Sequence, residues 1–403
     1  MIDNRRYYAL DALRGVMMML GIVLHASMFY ITQPPLPFPT DAHTSVLFDA
    51  IVLFIHSFRM PLFFVLAGFF TSLLVEKYGI RGSLENRAKR ILAPFTLGLF
   101  TIVPLTAWAA VSLLVSAQTG ERQLVTSMEQ LAVIDFEAMA AAGIENKPSP
   151  VHLWFLYFLL YFYLLIPLLV WANGALEGTR LDALGARFLS SFLALPVFGL
   201  WTAMTLIPFR GGLVFEGFTY FVPELHALLY YGTFFVIGWF VHRWRGALEV
   251  YSGTLRASGG LALIAFPIGA VLGERVLAGD DSTTTHIASI LANGMATWAL
   301  IYWVTGVFLR YLDTPSPWSL YISQSSYWVY LVHMPIVTFC GWYLLPYDLP
   351  AIAKFSIDAL ITTVLCFASY HYLIRRSWVS VLLCGKRFDL DWPWRPEPTP
   401  APA

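Results

Sequence analysis

Charge is scarce in this chain. Lys, Arg, Asp and Glu make up 12% of its 403 residues, where a soluble domain carries about a quarter. The 25 basic and 25 acidic residues cancel, which excludes the basic surface a nucleic-acid partner requires. Cysteine is rarer still. Cys340, Cys366 and Cys384 stand alone, which excludes a disulfide framework or a zinc knuckle. No Walker loop, HExxH helix or GxSxG elbow is present, so a phosphate-loop NTPase, a zinc protease and a serine hydrolase of those types are excluded. No metal site and no permanently bound cofactor are expected.

Apolar sequence is abundant. Hydrophobic residues reach 58% and fall in blocks of about 20, long enough to cross hydrocarbon. Ten such spans are expected, near 10–31, 46–75, 91–116, 151–173, 187–208, 219–241, 257–278, 286–309, 322–345 and 351–373. The first lacks a small-residue cleavage site and reads as a retained span. Alternate connections hold most of the Lys and Arg, Arg5, Arg6, Lys77, Arg81, Arg87, Lys89 and Arg90 among them. The other side holds only Arg122, Lys147, Arg210, Arg275 and Lys354. By the positive-inside rule both termini are cytoplasmic. The fold class expected is an all-α polytopic membrane protein of about ten transmembrane helices with a central polar pore. Residues 1–376 form the transmembrane domain and 377–403 a cytoplasmic tail, partly disordered because its end, "DLDWPWRPEPTPAPA", is proline-rich. The loop 117–150 is expected to hold a short amphipathic helix. The two halves do not share the broken spans of an inverted-repeat transporter.

Ionisable residues inside such spans are costly and mark function. In "ALDALRGVMMMLGIVLHASMFY", Arg14 and His25 lie eleven residues apart, about three turns and about 16 Å along one helix face. Asp11, three residues before Arg14, is placed to pair with it. The plainer alternative is an Arg14 that snorkels and a His25 that only packs. The second span, "FIHSFRMPLFFVLAGFF", sets His56 one turn from Arg59, with Pro61 and Gly68 permitting a kink and a close helix approach. Arg87 and Arg90, at the start of span three, aim two guanidinium groups in similar directions, which suits phosphates as well as a stop signal. In "SSYWVYLVHMPIV", Ser326, Tyr330 and His333 share a face. At the outer mouths stand His152 and Trp154, then Glu216, Glu224 and His226, the last two at a point open to a molecule from outside, the plainer alternative being a solvated interfacial carboxylate.

The Arg14/His25 pair together with "HSFRMPLFFVLAGFF", "NRAKRILAPF", "HLWFL" and "YWVYLVHMP" resembles the membrane acyltransferase-3 family over about residues 7–376. Within it, the chain is most similar to the branch that succinylates osmoregulated periplasmic glucans. Met334 departs from the pattern, standing where relatives often carry a second histidine. The resemblance implies an enzyme of the bacterial inner membrane, with the lipid bilayer around it. Acyl-CoA, succinyl-CoA above all, is then a cytoplasmic co-substrate, and a periplasmic glucan or other glycan the acceptor. His25 is then the catalytic base. Arg14, Asp11, His56, Arg59, Arg87, Arg90, Tyr330, His333, Glu224, His226, His152 and Trp154 form the substrate-binding set. O-acetylation of another surface glycan is the softer form of this reading, and a proton-coupled transporter relaying through His25, His56 and His333 the alternative from another class.

Overall fold

In the computed structural model residues 7–32, 34, 39–134, 137, 148–214 and 220–392 are described. Arg5, Arg6, Lys147, Glu216 and the proline-rich end from residue 393 lie outside them. Every regular element among the described residues is helical. Helix α1 (Tyr8–Ser27) is followed by α2 (Val46–Arg87), a π-turn (Ala88–Leu92) and α3 (Ala93–Thr119). A 3₁₀ turn at Met128–Val133 stands where the outer loop was expected to hold a short helix. Next come two broken helices, α4 (Trp154–Tyr163) with α5 (Ile166–Leu176), bent by 49°, and α6 (Arg180–Leu189) with α7 (Ala194–Thr205), bent by 93°. The chain continues through α8 (Leu225–Arg243), α9 (Ala247–Gly253), α10 (Leu255–Leu277), α11 (Thr283–Tyr311), α12 (Pro317–Leu344) and α13 (Ala351–Ser369). A short helix, α14 (Trp378–Cys384), follows.

Among the described residues six helical stretches are long and apolar enough to cross a membrane, or eight if each bent pair makes one crossing. Ten were expected, and the difference has two physical sources. One stretch runs 74 residues, Val46–Thr119, and merges two expected spans. It doubles back at Gly79, whose φ of 69° breaks the helix. Sixteen residues of straight helix would hold Thr71 and Arg87 about 24 Å apart, yet Arg87 Nη2 donates to Thr71 Oγ1 at 3.1 Å. The other source is α12. It is 28 residues long but carries Ser323, Gln324, Ser325, Ser326 and His333, which depress its apolarity.

Helix α12 is central, touching α1, α3, α13 and α14, while α2 packs on α8 and α10 on α11. The α2–α8 crossing is backbone against backbone. A Cβ on Gly68 would collide with the carbonyl of Phe235, and one on Gly238 with the carbonyl of Val65. Small residues at a membrane-helix interface permit this approach and the packing it brings. Gly68→Val is therefore expected to cost about 3 kcal/mol or more, read as loss of the monodisperse species in size-exclusion chromatography. A variant that elutes and melts like wild type overturns the close-packed crossing. Far from the lysine- and arginine-rich turns, Lys354 donates to Asp41 at 2.6 Å, and both side chains are buried. Lys354, counted from the sequence on the side poor in Lys and Arg, is a structural partner of the loop that follows α1.

Candidate active site

Three helices bring three histidines together. His25 stands in the last turn of α1, His333 in mid-α12, and His152 in the 3₁₀ turn that leads into α4. The His25 and His333 ring centres are 5.3 Å apart, and those of His152 and His333 are 5.6 Å apart. The sequence placed His152 at an outer mouth; the fold turns it inward against α12. Its Nε2 is 3.0 Å from the carbonyl of Leu331, and the Tyr330 hydroxyl donates to the His152 carbonyl at 2.7 Å.

Backbone partners fix two of the rings. A carbonyl only accepts, so His333 Nδ1, which faces the carbonyls of Tyr330 at 2.8 Å and Val329 at 3.0 Å, carries the proton. Its buried Nε2 then presents a lone pair with no protein partner. By the same reasoning His152 Nε2 donates and Nδ1, also buried and without a partner, is the acceptor. Unpaired buried acceptors are expensive, and here two stand side by side. His25 Nδ1 is a third buried nitrogen without a partner, although the residue as a whole is half-buried. His333 and His152 are both buried, so His25 is the most exposed ring of the three.

Arg59 supplies the local cation. It is 5% exposed, donates through Nε to the Met17 carbonyl at 2.9 Å, and lies over the Phe63 ring at 5.7 Å. Glycine at position 21 makes room for it. A Cβ there would stand 2.6 Å from Arg59 Nη2 and 3.4 Å from His333 Nε2, so guanidinium and imidazole converge over the same point on α1. His56, one turn earlier on α2, is half-buried and directs Nδ1 to the Val52 carbonyl at 3.1 Å.

A second group of residues lies nearer the N-terminal end of α1. Arg14, Arg87, Arg90 and Lys386 border a cavity of about 310 Å³, with Phe70, Tyr163 and Tyr327 among its aromatic walls. No carboxylate among the described residues lines it. Asp11 sits 3.5 Å from Arg14, as their spacing predicts, and Ser323 accepts from Arg14 Nη2 at 2.9 Å. Arg87 lies over the Tyr163 ring at 5.4 Å. Tyr327 donates to the Arg90 carbonyl at 2.8 Å, which anchors the π-turn to α12. Among the described residues no carboxylate pairs with Arg87, Arg90 or Lys386.

The cavity stops short of the histidines. Its lining reaches Met18, Phe63, Phe155 and Ser326 but includes neither His25 nor Arg59. Met18 and Ser326 each lie seven residues before a cluster histidine, about 10 Å of helix. Aromatic rings stand along that step. Phe63 and Phe155 ring centres are 5.4 Å apart, Phe155 and Tyr330 6.2 Å, and Tyr330 and His333 6.2 Å. The cavity is walled by α1, α2, the π-turn, α4, α12, α14 and the segment after α14.

Three residues of the expected set lie elsewhere. Glu224 and His226 pair with each other at 2.7 Å, and the His226 ring packs on Phe209 at 4.8 Å. Their described contacts do not include the three histidines. Trp154 is a core residue, packed on Phe158 and Tyr231 at 5.3 and 5.2 Å. Conversely, Gly21, Thr71, Tyr163, Ser323 and Lys386 were not foreseen. Only Ser323 carried a sequence signal, lying on the polar stretch of α12 that leads to His333.

The family model described as an acyltransferase domain matches residues 7–371. Similar proteins include the glucans biosynthesis protein C of Salmonella paratyphi B and its namesakes from Salmonella dublin and Salmonella enteritidis. Each is 25% identical over 393 residues, spanning 94% of this chain and 95% of the relative. No solved structure matches. The domain match runs through nearly the whole chain, and the fold gathers the arginines and histidines of the motifs into two adjoining groups. The protein belongs to the acyltransferase-3 family.

Proposed function

We propose that the chain carries an acyl group from a cytoplasmic acyl-CoA to a sugar hydroxyl on the far side of the bacterial inner membrane, with succinyl as the group and a periplasmic glucan as the acceptor. One observation carries this reading: a cationic cavity, with Asp11 on Arg14 as its one described counter-charge, and a three-histidine cluster with an arginine follow one another along α1, α2 and α12. The positive-inside count supports placing the cavity on the cytoplasmic side. The relatives' name, glucans biosynthesis protein, supports a glucan acceptor.

The chemistry suits the residues. CoA phosphates sit among Arg14, Arg87 and Arg90, and the pantetheine arm rises past Phe63 and Phe155 to His25. A sugar hydroxyl attacks the thioester carbonyl. His25 takes the hydroxyl proton as the C–O bond forms, and returns it to sulfur as the C–S bond breaks, leaving an ester and free CoA thiol. Arg59 meets the negative charge that develops on the carbonyl oxygen.

The reading is tested with the purified protein. CoA is expected to raise its melting temperature, as any ligand of the native state does. The double variant Arg87→Gln/Arg90→Gln is expected to raise the donor KM by about 100-fold, at about 1.5 kcal/mol or more for each lost charged contact, with kcat at saturating donor nearly unchanged. An unshifted melting temperature with CoA, or an unchanged donor KM in the double variant, overturns the donor site.

A further inference from the structure

The family domain match ends at residue 371, but the chain beyond it returns to the cationic cavity. Ser377 caps α14 by accepting from the Val379 N–H at 3.2 Å, and Gly385 ends it with φ of 84°. A Cβ on Gly385 would run into the Arg90 guanidinium, so only glycine lets the turn press so close to the π-turn. Cys384 Sγ donates to the Gln324 carbonyl at 3.3 Å. Further on, the Phe388 N–H donates to the Arg375 carbonyl at 3.0 Å and Arg375 Nη1 to the Asp391 carbonyl at 2.7 Å. Trp392 stacks on His371, ring centres 3.7 Å apart and planes 12° apart. These contacts fasten residues 377–392 at both ends.

Between the fastenings the strap faces the cavity. Leu383, Cys384, Lys386 and Phe388 form part of its wall, and Lys386 Nζ lies 5.0 Å over the Phe388 ring. With Arg14, Arg87 and Arg90, Lys386 makes a fourth cation around a space that no carboxylate lines. Only Arg14 has a described counter-charge, Asp11; like charges gathered with so little compensation repel one another, and a polyanion relieves that cost.

We infer that the strap 377–392 is part of the donor site, and that Lys386 binds a phosphate of the nucleotide end of the acyl-CoA. This rests on the acyl-CoA reading above and extends it to a segment outside the family domain. The donor's nucleotide is then held between the arginines of the membrane domain and a lysine from the C-terminal strap.

The test uses the full-length protein in nanodiscs, with CoA as the probe and binding measured by calorimetry. Lys386→Glu is expected to weaken CoA about tenfold or more, the loss of one charge-assisted contact and its replacement by repulsion. Lys386→Arg restores binding to within about threefold, since it keeps the charge. The melting temperature without ligand stays that of wild type in both variants. If Lys386→Glu binds CoA as wild type does while Arg87→Gln weakens it, the strap assignment is overturned and the donor reading stands. If wild type binds no CoA, the donor reading fails and the strap assignment falls with it.

Discussion

His25→Ala is expected to reduce acyl transfer by about 10³-fold or more, within the range that a positioned acid–base group supplies, while CoA binding and the melting temperature stay close to wild type. The separation of effects follows from geometry. His25 is eleven residues, about 16 Å, from Arg14, and it does not line the cationic cavity. Its Nδ1 has no protein partner to lose, so truncation removes chemistry rather than a structural bond. Mass spectrometry of glucans incubated with succinyl-CoA and the variant in proteoliposomes reads the loss directly. Transfer within a few-fold of wild type would remove His25 from the mechanism and leave His333 Nε2, the neighbouring lone pair, as the base to examine.

Arg59→Gln should lower kcat by about 10²-fold or more, the scale on which a donor aimed at a developing oxyanion acts, with little change in donor KM. The placement is what distinguishes this arginine from the others. Arg59 Nη2 and His333 Nε2 converge over Gly21, among the histidines, whereas Arg14, Arg87 and Arg90 border the cavity. Comparing succinyl-CoA with acetyl-CoA separates two roles for the same group. A guanidinium that meets the oxyanion loses rate with both donors; one that pairs with the succinyl carboxylate loses it with succinyl-CoA alone. We expect loss with both, and a selective loss overturns the oxyanion role. Arg59→Lys keeps the charge but not the fork, and is expected to remain impaired.

The helical architecture was open to view in the sequence because hydrocarbon imposes a length and an apolarity on every crossing. The polar face of α1 was legible for a related reason: a charge inside such a segment is costly, and helical geometry fixes which side it leaves. Asp11 and Arg14 meet as their spacing requires. What spacing could not reveal is which helices face one another. His152 precedes α4 by two residues and reads as an interfacial histidine; only the packing of the α4 entrance against α12 turns it toward His333. Trp154, two residues on, turns the other way into the aromatic core. Gly79 was likewise silent, since a break in a 74-residue helical stretch depends on one backbone angle. Lys386 was hidden by its place in a segment that composition marks as a tail.

Helix α12 has a property that concerns the choice of donor. It carries Ser326 on the cavity wall and His333 in the cluster on one unbroken rod, seven residues and about 10 Å apart. The rod is therefore a gauge stick for the proposed donor. On the acyl-CoA reading, a thioester on a long flexible tether, anchored by its phosphates at the lower mark, would arrive at the upper one, while an acyl phosphate of the same acid, having no tether, would stay a full step below the rings. A preference for tethered carriers over short activated acids would then follow from the length of one helix, independently of any contact with the acyl group itself.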